Sequence, residues 1–163
     1  MARRMFKRAR GGALVASLYV QEVELLVMTA RDMVAIVEEP PDGEVLSDPK
    51  GAILDEGGRI LFAVRDGKTI GCCALIRMDQ AEFEVAKMAV APEAQGAGIG
   101  RALLTAAIEL ARSLGTKRLF LETNRILTPA IHLYESLGFQ HLPPERVHPS
   151  PYARSDVTME LFL

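Results

Sequence analysis

Residues 88–104, MAVAPEAQGAGIGRALL, set an apolar strand-like run, a glycine-rich turn and a helix start in immediate succession. The chemistry such a turn offers is anion binding. Glycine lets the backbone approach a ligand and take positive φ, and the first amides of a helix lack intrahelical acceptors at the positive end of its dipole. Gly96, Ala97, Gly98, Ile99 and Gly100 could therefore donate main-chain hydrogen bonds to a pyrophosphate. On the turn alone, close helix–strand packing explains the glycines equally well.

Other chemistries fit less well. The dinucleotide fingerprint G-x-G-x-x-G would need glycine where Arg101 stands, and Gly67-Lys68-Thr69 lacks a Walker A opening glycine because that position is Phe62. His132, His141 and His148 have no zinc-ligand spacing, and the adjacent Cys72 and Cys73 add none, so no metal is expected. No G-x-S-x-G elbow is present, and Ser136 lies inside a helical stretch, so covalent catalysis is not indicated. Periodicity alone favours a core role for Tyr134, on the apolar stripe of a short helix beside Leu133 and Leu137.

The elements that must position these residues are legible in part. Residues 59–65 and 69–78 read as strands joined at Asp66-Gly67, a strong hairpin signal. Residues 82–90 read as a third strand with Glu84, Ala86, Met88 and Val90 on one face at period two. A helix is predicted over 100–114 from the stripe Leu103, Leu104, Ala107, Ile108 and Ala111, with Gly115 at its left-handed end. A strand over 118–123 follows, then a helix over 129–137 with Thr128 as N-cap, Pro129 at the first position and a Schellman-type end at Gly138-Phe139. Residues 156–163 alternate as a last strand. Residues 14–37 read as one or two helices with mixed periodicity, no first strand is evident over 1–40, and prolines and glycines make 38–58 a loop-rich connection.

With these elements in place, Gln95-x-x-Gly98-x-Gly100 resembles the Q/R-x-x-G-x-G/A cofactor loop of the GNAT superfamily of N-acetyltransferases, and residues 133–139, LYESLGF, resemble its second signature. The resemblance covers roughly residues 59–139. It implies an α/β (α+β) fold: a mixed, largely antiparallel central sheet with helices on both faces, splayed near the strand before Gln95. It implies acetyl-CoA as acetyl donor, with the backbone of Met88, Ala89 and Val90 along the pantetheine arm and residues 95–100 with Arg101 on the pyrophosphate. Tyr134 would be the general acid, and Glu84 or Glu122 the base, for direct attack of an amine on the thioester. Asn124 stands where family members often place a polar residue near the cofactor, although residues 125–129 lengthen the connection to Tyr134 and make a turn role equally good.

At 163 residues, 49% hydrophobic and 25% charged, the chain suits one ordinary core: an N-acetyltransferase core over 41–163 together with an N-terminal part over 1–40. A net charge of -2 gives no global attraction for nucleic acid or an anionic membrane, and no uncharged apolar run reaches the ~18 residues of a membrane span. Arg3, Arg4, Lys7, Arg8 and Arg10 imitate a leader, but Glu22 and Glu24 follow and no Ala-x-Ala cleavage signal is evident, so a cytoplasmic enzyme is expected. The acceptor is a small-molecule amine, an amino acid or a protein amine, and a homodimer is one open assembly. Glu38, Glu39, Asp42 and Glu44 could draw in a cationic amine or simply form a solvated loop. The rival readings are a non-catalytic acyl-CoA-binding domain and a protein-interaction module.

Overall fold

The computed structural model describes Arg3–Arg4, Tyr19–Glu22 and residues 42–163. Strands β1 (Arg3–Arg4), β2 (Tyr19–Glu22), β3 (Arg59–Arg65), β4 (Lys68–Arg77), β5 (Glu82–Val90), β6 (Arg118–Thr123), β7 (Gln140–His141) and β8 (Val157–Phe162) form one sheet, ordered β1-β2-β3-β4-β5-β6-β8-β7. Only β5 and β6 run parallel; every other neighbouring pair is antiparallel. This is the largely antiparallel α/β sheet expected.

Local chemistry explains the best-defined elements. The β3–β4 turn has Asp66 at φ 51° and Gly67 at φ 74°, the doubly positive turn that matches the twist of paired strands. Helix α2 (Ile99–Ser113) buries Ile99, Leu103, Leu104, Ala107, Ile108 and Ala111, and Gly115 follows at φ 78°. Each large aliphatic side chain buried there contributes roughly 1.5–3 kcal/mol. Helix α3 (Thr128–Ser136) closes with Gly138 N–H donating to the Glu135 carbonyl and Phe139 N–H to the Tyr134 carbonyl, the Schellman pair.

Helices cover both faces. Helices α2 and α3 share one core with Leu75, Phe83, Val85, Leu119 and Leu121. On the other face, Leu46 of α1 (Asp42–Ser47) and Ile53 of a π-helical turn (Lys50–Leu54) pack on Ile60, Phe62, Cys72 and Ala74. Cys72 and Cys73 thus point to opposite faces, as period two requires.

Four expectations are corrected. Tyr19–Glu22 is a strand paired with β3, not helix, and Arg3–Arg4 pairs with it; the rest of residues 1–40 lies outside the described residues. The 38–58 connection carries α1 and the π-helical turn, because Leu46 and Ile53 give it an apolar face to bury. Thr128 opens α3 rather than capping it; the cap position is Leu127, and no side chain bonds to the first amides. Finally, β5 does not keep Glu84, Ala86, Met88 and Val90 on one face. The β4–β5 register slips between Cys72 and Ala74, and Lys87 sits in the bulge at φ 49°. The extra residue turns Met88 and Val90 toward α2 and α3 while Ala89 joins the opposite core.

Candidate active site

The bulge lies where the sheet opens. Strand β5 pairs with β6 only at Glu82, Phe83 and Glu84. From Val85 to Val90 the β5 edge therefore has no β6 partner, and a cleft of about 530 Å³ fills the gap. Glu84, Met88, Val90, Gln95, Glu122, Asn124, Tyr134 and Tyr152 are among its walls.

At one end stands the glycine loop. Gly96 and Gly98 take φ 72° and 79°, and a Cβ at Gly96 would meet nothing within 4 Å. The first bond closing α2 runs from Ala102 N–H to the Gly98 carbonyl, so the amides of Ile99, Gly100 and Arg101 stand without an intrahelical acceptor. A Cβ at Gly100 would come within 3.4 Å of Leu133 and Met88, so this glycine also serves packing of α2 on α3 and β5. Gln95 Nε2 donates to the Val90 carbonyl at 3.2 Å, and the Arg101 guanidinium donates to Ser136 Oγ at 2.7 Å on α3. Arg101 can thus offer the loop its amide, while its side chain is committed elsewhere.

At the other end stand the titratable groups, contributed from the two faces of the sheet. Tyr134 packs with the α2–α3 core, its ring centroid 6.0 Å from that of Phe139, and burial, with a smaller push from Cys73, raises its pKa to about 12. Among the described residues its hydroxyl makes no hydrogen bond, although a phenol buried merely for packing usually finds one. Glu84 and Glu122 belong to the opposite face, since Phe83, Val85 and Leu121 beside them are in the α2–α3 core. Burial first, then the Glu122 charge, pushes Glu84 up to about 7 against the pull of Lys87. Glu122 instead accepts a 2.5 Å hydrogen bond from Ser150 Oγ.

Asn124 lines the cleft but its side chain is spent on the turn: Oδ1 accepts from Ile126 N–H at 2.9 Å and Nδ2 donates to the Arg154 carbonyl. Three further wall residues form a cluster that the sequence reading missed. Lys87 Nζ donates to Asp42 Oδ1 at 2.5 Å and to Tyr152 Oη at 2.7 Å, and the Lys87 and Asp42 side chains are only 6% and 5% exposed. Burial works against the Lys87 ammonium, but these two bonds outweigh it and hold its pKa above the ordinary lysine value. The available signal was one lysine in an otherwise apolar half-strand. Asp42 is accordingly neutralised rather than free to attract an amine; Glu38 and Glu39 lie outside the described residues.

Residues 142–156 fold over this face and are pinned by Glu160, which accepts from Arg146 at 2.6 and 2.7 Å and from Arg118 at 2.8 Å. Burial alone would raise the Glu160 pKa, but the Arg146 and Arg118 hydrogen bonds win and lower it. Its folded pKa being depressed, it contributes stability above the unfolded value that is lost as pH falls through the folded one. Glu160→Gln is expected to cost roughly 2–3 kcal/mol in urea titrations at pH 7, with the cost shrinking in acid. Among the described residues no three His, Cys, Asp or Glu side chains converge as metal ligands, and no helix is long and apolar enough to cross a membrane.

A model of the acetyltransferase (GNAT) family matches residues 24–139. The chain belongs to that family. It is 34% identical over 135 residues, 78% of its length, to a mycothiol acetyltransferase of Pseudarthrobacter chlorophenolicus, covering 37% of that protein. It is 30% identical over 156 residues, 94% of its length, to an amino-acid acetyltransferase of Azotobacter vinelandii, covering 34% of it. The chain spans between a quarter and a half of the length of the first curated relatives it matches, from 25% to 48%. A GNAT family acetyltransferase from Elizabethkingia anophelis, solved with acetyl-CoA bound, superposes with a TM-score of 0.62 at 24% identity, over 90% of this chain and 98% of that one. The likeness in fold thus covers a larger share of the chain than the family match.

Proposed function

We propose that this GNAT-family chain is an acetyl-CoA-dependent N-acetyltransferase that moves the acetyl group to a small primary amine by direct attack. The observation that carries the reading is the parting of β5 and β6, which opens one cleft to Gln95 of the glycine loop and to two titratable groups, Tyr134 and Glu84, without hydrogen-bond partners among the described residues. The free β5 edge at Met88, Ala89 and Val90 suits the amides of a pantetheine arm, and the loop amides from Gly96 to Arg101 suit its pyrophosphate. Acetyl-CoA supplies an activated thioester carbonyl and makes the cytoplasm the natural working compartment. Glu84, with a pKa near 7, takes the proton of the incoming ammonium. Tyr134, protonated at any physiological pH, gives its proton to the departing sulfur.

The test is release of free CoA thiol from acetyl-CoA across small amines, amino acids and peptides. Amine-dependent release is the expected result; tight CoA binding without release for any amine would favour a non-catalytic acyl-CoA-binding domain. Gly98→Asp puts a side chain at φ 79° and a negative charge at the helix start. Calorimetry is expected to read acetyl-CoA affinity weakened by at least ~10-fold, about 1.4 kcal/mol. Unchanged affinity in the folded variant would remove the loop from the site.

A further inference from the structure

The Lys87–Tyr152 contact fixes the direction of a proton. An ammonium has three donors and no acceptor, so in the 2.7 Å bond Tyr152 Oη must accept. The phenol's own hydrogen is then left to point elsewhere, and among the described residues the hydroxyl makes no other hydrogen bond. Tyr152 lines the cleft, so an acceptor oxygen placed there would meet that hydrogen. A phenol already accepting from a cation is the stronger donor, because the charge polarises its O–H bond.

The lysine is itself locked. Its backbone is held at φ 49° in the β5 bulge, and Asp42 takes a second of its hydrogens at 2.5 Å. That pairing cancels the buried charge, so the donor is kept without leaving a net cation that would repel an amine. Glu84 and Glu122 line the same cleft and suit an ammonium, while Tyr152 offers its hydrogen to an oxygen. Ser150, which accepts from Tyr152 N–H at 3.1 Å and donates to Glu122 at 2.5 Å, sets the two kinds of partner side by side, as an amino group and the carboxylate next to it would need.

We propose that Tyr152, its oxygen held by Lys87, donates its hydroxyl hydrogen to the acceptor and selects amines that carry a carboxylate beside the amino group. This rests on the transferase reading of the same cleft. Lys87 is a positioning residue: it acts through the phenol.

The experiment compares α-amino acids with the amines that differ only by hydrogen in place of the carboxylate. Wild type is expected to favour the amino acid of each pair by about 10-fold or more in kcat/KM, the scale of one charge-assisted hydrogen bond. Tyr152→Phe is expected to bring that preference close to parity by raising KM for the amino acid about 10-fold more than KM for the simple amine. The double variant Lys87→Met/Asp42→Asn, which removes the ammonium without stranding a buried carboxylate, is expected to lose the same preference. Equal loss on both members of a pair in Tyr152→Phe, or a wild-type preference for the simple amine, would overturn the proposal and leave the transferase reading standing. Release of no CoA with any acceptor would bring down both.

Discussion

Replacing Tyr134 by phenylalanine is expected to lower kcat by roughly 10²–10⁴-fold, the range for a positioned general acid, with acetyl-CoA affinity and folding nearly unchanged. The reason lies in what the substitution leaves alone. The ring packs with the α2–α3 core and stays 6.0 Å from Phe139, and phenylalanine keeps that packing. The hydroxyl makes no hydrogen bond among the described residues, so its removal should cost little stability, well below the ~1 kcal/mol of an ordinary intramolecular bond. Loss of activity without loss of stability is therefore the signature of a proton donor. A Phe variant with near-normal kcat, in a reaction shown by single-turnover kinetics to be limited by chemistry, would sink the acid role. Its pH dependence is informative as well: with a pKa near 12 the phenol stays protonated across the working range and should add no descending limb below about pH 10.

Tyr134 also illustrates what the sequence could and could not say. Its place on the apolar stripe with Leu133 and Leu137 is written in helical spacing, and so are the buried face of α2 and the glycine ends of both helices, because each depends on residues within a few positions. The β3–β4 turn is legible for the same reason. The pairing of β2 with β3 is not, since it joins residues some forty positions apart and residues 14–37 carry mixed periodicity.

The bulge at Lys87 defeated the period-two rule, because one extra residue reverses every later side chain and nothing local marks it: lysine, unlike glycine, gives no hint of positive φ. The Asp42–Lys87–Tyr152 cluster was hidden for a different reason. Its partners lie 45 and 65 residues from the lysine, Asp42 in the connection that prolines and glycines mark as loop-rich and Tyr152 in the stretch before the last strand. Locally coded parts of the site, the glycine loop and the α3 tyrosine, were thus readable, whereas the wall facing the acceptor exists only through long-range contacts.

Glu84→Gln is expected to move activity and stability in opposite directions, both with a pH dependence set by the same carboxyl. Burial and the Glu122 charge raise its folded pKa from 4.5 to about 7. A raised carboxyl pKa means that the neutral form is the one the fold prefers; the associated stability is present below the unfolded pKa and lost as pH rises through the folded one. Glutamine stays neutral throughout, so the variant should match wild type near pH 4 and exceed it by ~1–3 kcal/mol at pH 8, the upper figure discounted because the cleft admits water. Urea titrations at the two pH values read this directly. Activity runs the other way. As the base, Glu84 must be ionised, so wild-type kcat/KM should climb with pH through about 7, while the variant loses that limb and falls roughly 10²-fold or more behind at pH 8. The gap should narrow at pH 5.5, where wild type is itself protonated, and again near pH 10, where the amine arrives neutral. A stabilised variant that keeps the wild-type pH profile would transfer the base role away from Glu84, with Glu122, two residues further along the neighbouring strand from Phe120, the partner of Glu84 in the sheet, next in line.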